Sequence, residues 1–248
     1  MPPRTVIIVQ ARMGSSRLPG KVLLPLAGET MLAQQLKRLQ RCRRADAIVV
    51  ATSTAPADDA IVSLLEAWPD ILCVRGSEQD VLARYYQAAK QAQADVVVRV
   101  TADCPLIEPA VIDACIAIML EQQDSCDYVS NCQQRSFPRG LDCEVFSMAA
   151  LETAHQQAHQ PAEREHVTPY IWQQPERFRL CDYVDTHDRS DWRLTVDTPE
   201  DLALVRRIYH ELYAQQPDFH YAQLVALLEA NPDWLAINRD VVQKSLET

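Results

Sequence analysis

Glycine is scarce in this chain, with five residues in 248, where average usage of about 7% would supply roughly 17. A sequence so sparing of glycine places each one where φ > 0 or a close backbone approach requires it, and Gly14, Gly20 and Gly28 all fall near the start. Long apolar runs are missing as well. Val6-Ile7-Ile8-Val9 and Ala47-Ile48-Val49-Val50-Ala51 fall far short of the roughly 20 residues that span a bilayer, so no membrane span is expected. The eight cysteines (42, 73, 104, 115, 126, 132, 143 and 181) contain no Cys-x-x-Cys pair, which argues against a structural zinc site or a redox dithiol and for free thiols in a reducing compartment. The opening residues run directly into an apolar segment without the h-region of a signal peptide, which places the chain in the cytoplasm. An excess of positive charge is lacking: net charge is −10, so a nucleic-acid partner is not expected.

What is present is an ordinary globular composition, 48% hydrophobic and 23% charged, long enough for one large α/β domain or two small ones. Charge is unevenly spread. Residues 1–44 hold nine Lys/Arg and a single acid, Glu29, which suits a compact anion bound near the N-terminus. Short β-branched runs at 5–10, 47–51, 71–74 and 95–100 alternate with amphipathic helical stretches. One of these helices is capped by Thr30, one is opened by Ser77 and Asp80, and one has Pro109 as its first residue. That alternation predicts a Rossmann-like α/β architecture, a mostly parallel central sheet with helices on both faces. Regularity weakens over 122–185, which reads as an insertion on the same sheet within a single domain. Trp192–Val196 reads as a further central strand, Thr198-Pro199-Glu200-Asp201 as a helix start, and 220–230 as a helix covering the sheet.

The most specific stretch is Gln10-Ala11-Arg12-Met13-Gly14-Ser15-Ser16-Arg17-Leu18-Pro19-Gly20-Lys21, directly after the first strand. It is not a P-loop, because five residues separate its glycines and Val22 stands where a magnesium-binding hydroxyl is needed. A Gly-x-Gly-x-x-Gly fingerprint is also absent. A loop with two serines and the cations Arg12, Arg17 and Lys21 nevertheless suits a triphosphate, through backbone N–H groups, hydroxyls and bidentate guanidinium contacts. Asp103 and Asp197 each follow a predicted strand, where ligands bind in open α/β sheets, and together suit Mg²⁺, which takes one or two carboxylates with substrate phosphates. In Pro138–Phe146, Asp142 and Glu144 lie two apart on a predicted strand and share a face. They and Arg139 are candidates for acceptor binding, as are Arg164 and His166 at a helix start.

These segments resemble a known family. Arg12-x-Gly14-Ser15-x-Arg17-Leu18-Pro19-Gly20-Lys21 followed by Leu23-x-Pro25-Leu26-Ala27-Gly28 is similar to the N-terminal signature of the cytidylyltransferases that make CMP-sugars. These include the CMP-sialic acid and CMP-Kdo synthetases and, closest, the spore-coat polysaccharide biosynthesis cytidylyltransferases. Arg75-Gly76-Ser77-Glu78, Arg99-Val100-Thr101-x-Asp103-x-Pro105-Leu106, Arg164-Glu165-His166-Val167-Thr168 and Val196-Asp197-Thr198-Pro199-Glu200-Asp201 resemble further blocks of the last family. The resemblance implies a Rossmann-like nucleotidyltransferase fold of glycosyltransferase-A type. It implies CTP phosphates held by Arg12, Gly14, Ser15, Ser16, Arg17 and Lys21, with Ser53, Arg75 and Ser77 also on the nucleotide, and Mg²⁺ on Asp103 and Asp197. It further implies transfer of CMP to a sugar-like acceptor with release of pyrophosphate, Arg12, Lys21 and Asp103 being catalytic. In CMP-sialic acid synthetases the middle region serves acceptor binding and dimerisation, which makes a homodimer an expectation for 122–185. Alternatives are another nucleotide, a sugar-phosphate or phosphonate acceptor, a glycosyltransferase using Asp142-Cys143-Glu144 as its metal motif, or a non-catalytic nucleotide-binding protein.

Overall fold

The computed structural model describes residues 2–122 and 125–244. β1 (Thr5–Gln10) is the β-branched run expected, buried at every side chain except Gln10. The short strands β2 (Pro25–Leu26) and β3 (Glu29–Thr30) form a hairpin that leads into α1 (Met31–Leu39), where the Thr30 hydroxyl accepts a bond from Ala33 N at 3.2 Å. β4 (Ala47–Ser53), α2 (Asp59–Leu65), β5 (Ile71–Gly76), α3 (Val81–Gln91), β6 (Val96–Thr101) and α4 (Pro109–Glu121) follow in strict alternation. Parallel pairing sets β1 between β4 and β6, with Val9 opposite Val50 and Val100, as short strands joined by helical crossovers require.

The 122–185 region extends this sheet. β7 (Tyr128–Ser130), β8 (Glu144–Ser147) and β9 (Leu180–Asp182) complete a seven-stranded order β5-β4-β1-β6-β8-β7-β9, in which β8 runs antiparallel to both neighbours. Three helices accompany it, α5 (Met148–Gln157), α6 (Pro161–His166) and α7 (Pro169–Trp172), with α6 packed on α3. α8 (Pro199–Tyr213) starts with the reciprocal Thr198–Asp201 capping box, and α9 (Tyr221–Ala230) follows.

Three local expectations need correction. α3 begins one residue after Asp80, whose carboxylate caps Ala83 N at 2.9 Å, while Ser77 Oγ only accepts from Asp80 N at 3.0 Å. Trp192–Val196 is extended but is not a sheet strand. Its backbone partners are loop residues beyond the end of β6, with Leu194 N donating to Arg139 O at 2.7 Å and Val196 N to Asp103 O at 2.8 Å, so only the isolated Arg139–Arg193 bridge forms. α9 packs on α8 in a second apolar cluster that includes Leu106, Phe137, Leu194, Val196, Val205 and Leu228, not on the sheet itself. That cluster anchors 192–197 beside the end of β6. The eight cysteines are all free thiols.

Gly140 makes the close approach between the 138–141 loop and the 192–196 segment. Its φ is +106°, and a Cβ there would lie 2.5 Å from both Leu194 C and Thr195 N. Gly140→Ala is expected to cost roughly 3 kcal/mol, a loss of about 10 °C in thermal melting for a chain of this length. Gly28→Ala, also at positive φ but with nothing within 4 Å of the added carbon, is expected to cost only about 1 kcal/mol, the backbone penalty alone.

Candidate active site

A cleft of about 460 Å³ opens at the C-terminal ends of β1 and β6, the position at which open α/β sheets bind ligands. Its floor is the loop after β1. Ala11 N bonds Ala51 O, and Met13 O accepts from both Ser15 N (2.9 Å) and Gly20 N (3.0 Å), folding the loop back on itself. The Asp58 carboxylate fixes it from below, accepting from Met13 N at 2.7 Å and from Ser53 N at 3.1 Å and Ser53 Oγ at 2.5 Å. Asp58 is buried and ties the end of β4 to the loop. Sequence reasoning did not single it out, and only the long-range contact to Met13 identifies it. Arg12, Gly14, Ser15, Ser16, Arg17 and Lys21 all line the cleft.

At its centre lie one cation and two carboxylates. Lys21 Nζ is 2.9 Å from Asp103 Oδ2, 2.8 Å from Asp197 Oδ1 and 2.9 Å from Val196 O. Lys21 therefore spans the acidic pair here. Burial alone would lower its pKa, but Asp103 and Asp197 outweigh burial and raise it. Burial would likewise raise Asp103, yet Lys21 and the Thr101 hydroxyl, 2.5 Å away, hold it at about 2. Asp197 is also lowered against its burial, by Lys21 and Arg17. Both are carboxylates at neutral pH.

Asp197 is held further by Arg17 Nη2 at 2.9 Å and Arg193 Nη2 at 2.8 Å. Arg193 is itself anchored on Asp201, which bonds Asp197 N at 2.9 Å and caps α8. The C-terminal segment closes one side: Val242 O accepts from Arg17 Nη1 at 3.1 Å, Gln243 Oε1 from Arg193 Nη1 at 2.5 Å, and Ser16 Oγ from Lys244 Nζ at 3.2 Å. Sequence reasoning did not single out Arg193, Asp201 or this segment.

The carboxylates fit a divalent cation. Two hard oxygens, from different elements, converge within 3 Å of one positive charge, as Mg²⁺ sites built from one or two carboxylates plus substrate phosphates do. Among the described residues no cluster of three or more His, Cys, Asp or Glu forms a self-sufficient metal cage, so the ion's remaining ligands would be water and substrate oxygens.

Other residues expected at the site are engaged elsewhere. Ser53 is buried, its hydroxyl bound to Asp58 and Ala55 N. Arg75 binds Ser53 O, Ala55 O and Asp59, and Ser77 serves the turn before α3, so none of the three lines the cleft. Asp142 precedes β8 and pairs bidentately with Arg135 (2.6 and 3.1 Å), so it does not share a strand face with Glu144. Glu144 is buried and already satisfied by Arg99, Tyr128 Oη (2.6 Å) and Thr168 Oγ1 (2.6 Å). Asp142 and Glu144 thus do not present two carboxylates to one metal position: Asp142 lines an annex of the cleft, whereas Glu144 is buried against Arg99 and lines neither annex nor cleft. Arg164 clamps α6 to the cap of α3, reaching Asp80 at 3.1 and 2.5 Å. Arg139 lines an annex of about 170 Å³ together with Arg17, Asp103, Asp142 and Asp197. His166 forms the cleft wall with Glu165 and Arg99.

Residues 6–231 match the cytidylyltransferase family. The chain is 33% identical over 239 residues to the spore coat polysaccharide biosynthesis protein SpsF of Bacillus subtilis (strain 168), covering 92% of this chain and 95% of that protein. Its structure is similar to that of a cytidylyltransferase from Leptospira borgpetersenii serovar Hardjo-bovis (strain JB197), with a TM-score of 0.90 and 34% identity over 98% of this chain and 100% of that one. At the level of fold alone it is similar to CMP:2-keto-3-deoxy-manno-octonic acid synthetase complexed with CTP, with a TM-score of 0.65 and 18% identity over 84% and 99% of the two chains.

Proposed function

This chain belongs to the cytidylyltransferase family and is a nucleotidyltransferase, and on that premise we propose that it transfers CMP from CTP to a sugar-like acceptor in a Mg²⁺-dependent reaction that releases pyrophosphate. The observation that carries this reading is the convergence of Asp103 and Asp197 on one cation position beside the Arg12–Lys21 loop. The kinship with a polysaccharide biosynthesis protein and the fold shared with a CTP-bound sugar-acid synthetase support it.

Arg12, Arg17 and the loop N–H groups bind the triphosphate and orient the α-phosphorus for in-line attack by an acceptor oxygen. Mg²⁺ held by Asp103 and Asp197 would neutralise charge on the phosphate oxygens. Lys21 sits on a flexible four-carbon stem and stabilises the departing pyrophosphate once its ammonium leaves the carboxylate pair. The 122–185 region supplies the acceptor side, since it contributes His166 to the cleft and Arg139 and Asp142 to the annex. Among the described residues no helix is long and apolar enough to cross a membrane, and we place the enzyme in the cytoplasm.

Pyrophosphate release with CTP, Mg²⁺ and a panel of sugar acids and sugar phosphates tests the proposal. Saturating CTP is expected to raise the melting temperature more than UTP, GTP, ATP or dTTP, because a ligand bound only by the native state stabilises it. Equal stabilisation by all five nucleotides would remove the assignment of the base.

A further inference from the structure

The peptide that ends α6 adopts a rare conformation. Val167 has φ 74° and ψ −55°, and Thr168 N donates to His166 O at 2.9 Å. This i to i+2 closure is the strained mirror of the common inverse γ-turn. A β-branched residue at positive φ is strained and persists only where its surroundings over-determine it.

They do so here from three sides. The Val167 side chain is fully buried, Val167 N bonds Glu163 O at 3.1 Å, and the Thr168 hydroxyl donates to Glu144 at 2.6 Å. Glu144 is in turn pinned by Arg99 on the adjacent strand and by Tyr128 Oη.

The turn sets the neighbouring imidazole on the cleft wall. His166 is half-buried and lines the same cavity as Arg12, Ser15, Lys21 and Asp103. Its ring makes no hydrogen bond or ion pair among the described residues, whereas the flanking Arg164 and Thr168 are both committed to structure. A strained turn that orients one free imidazole into a phosphate-binding cleft is accounted for by a role toward the second substrate.

Resting on the CMP-transfer reading, we infer that His166 is the general base that accepts the acceptor's hydroxyl proton. In the step, the acceptor O–H bond breaks and its proton passes to a neutral ring nitrogen of His166. The acceptor oxygen forms a bond to the α-phosphorus. The bond from that phosphorus to the bridging oxygen breaks, and its electron pair leaves with pyrophosphate. The groups that face the ring suit this role. Burial, Arg99 and Arg12 lower its pKa while Glu165 and Glu144 raise it, and the net effect is a lowering, which keeps the imidazole neutral and able to take a proton near pH 7.

The experiment compares wild type with His166→Gln and His166→Ala in pyrophosphate release from CTP. The expected result is a fall in kcat of about 10²-fold with an unchanged CTP-induced melting shift. The acidic limb of the wild-type kcat profile, lying below about pH 6.5, is expected to vanish in His166→Gln, and added imidazole to restore part of the rate of His166→Ala. A rise in KM with kcat intact, or an acidic limb retained by His166→Gln, overturns the assignment. Wild-type protein that binds CTP but turns over no acceptor sinks the underlying function instead, so the two failures are distinguishable.

Discussion

Asp103→Asn is expected to lower kcat about 10³-fold while the protein still folds and still binds CTP. The substitution preserves shape, and asparagine can accept from Thr101 Oγ1 as the carboxylate does at 2.5 Å. What it removes is one of two negative charges that meet at the Lys21 position. If that pair holds Mg²⁺, the loss falls on stabilisation of charge developing in the transition state, where single electrostatic groups are commonly worth 10²–10³-fold. The rest of the effect arises because Lys21 is then retained by Asp197 and Val196 O alone, which alters the cation's placement against the phosphates. Ground-state CTP binding through Arg12, Arg17 and the loop backbone is untouched by the change. Initial rates of pyrophosphate release titrated with Mg²⁺ check the prediction. Turnover equal to wild type, with the same Mg²⁺ dependence, would remove Asp103 from the site.

Much of the frame was legible because it is set locally. β-branched runs marked β1, β4, β5 and β6, Thr30 and Thr198 marked two helix starts, and Pro109 marked a third. The loop after β1 was legible for the same reason, since residue type and spacing alone distinguish it from a P-loop. The strand expectation failed where the decisive partner is remote in sequence. Trp192–Val196 has the composition of a strand, but its neighbours are Asp103 and Arg139 in loops. Ser53, Arg75 and Ser77, expected on the nucleotide, are instead engaged close by at the ends of β4 and β5, Ser53 with Asp58, Arg75 with Asp59 and Ser77 with Asp80 N. Glu144 and Arg164 read as candidates for acceptor binding, and their partners in the fold are Arg99 and Asp80. The strain at Val167 has no sequence signal, because valine is the residue least suited to it.

Lys21→Met is expected to destabilise the metal-free protein by roughly 2–4 kcal/mol at pH 7 and to lower kcat by at least 10²-fold. Methionine keeps the apolar stem but deletes the charge that Asp103 and Asp197 share at 2.9 and 2.8 Å. Asp197 retains Arg17 and Arg193, so the uncompensated charge is mainly that of Asp103, whose side chain is 24% exposed; this partial exposure keeps the cost at the low end for breaking a buried pair. The sign of the pH dependence follows from the same contact. Asp103 is held at about 2 in the folded protein against about 3.9 unfolded, so its contribution is fully present above about pH 4 and is lost as pH falls through about 2. The gap in stability between wild type and variant should therefore narrow across that window. Mg²⁺ gives a second, activity-independent readout. In the wild type an incoming ion competes with the Lys21 ammonium for the same oxygens, whereas in the variant it meets an unpaired Asp103 and an Asp197 held only by Arg17 and Arg193. Millimolar Mg²⁺ should accordingly raise the melting temperature of Lys21→Met more than that of wild type. An identical Mg²⁺ response in the two proteins would mean that the acidic pair is a structural ion pair and that the metal, if used, enters elsewhere.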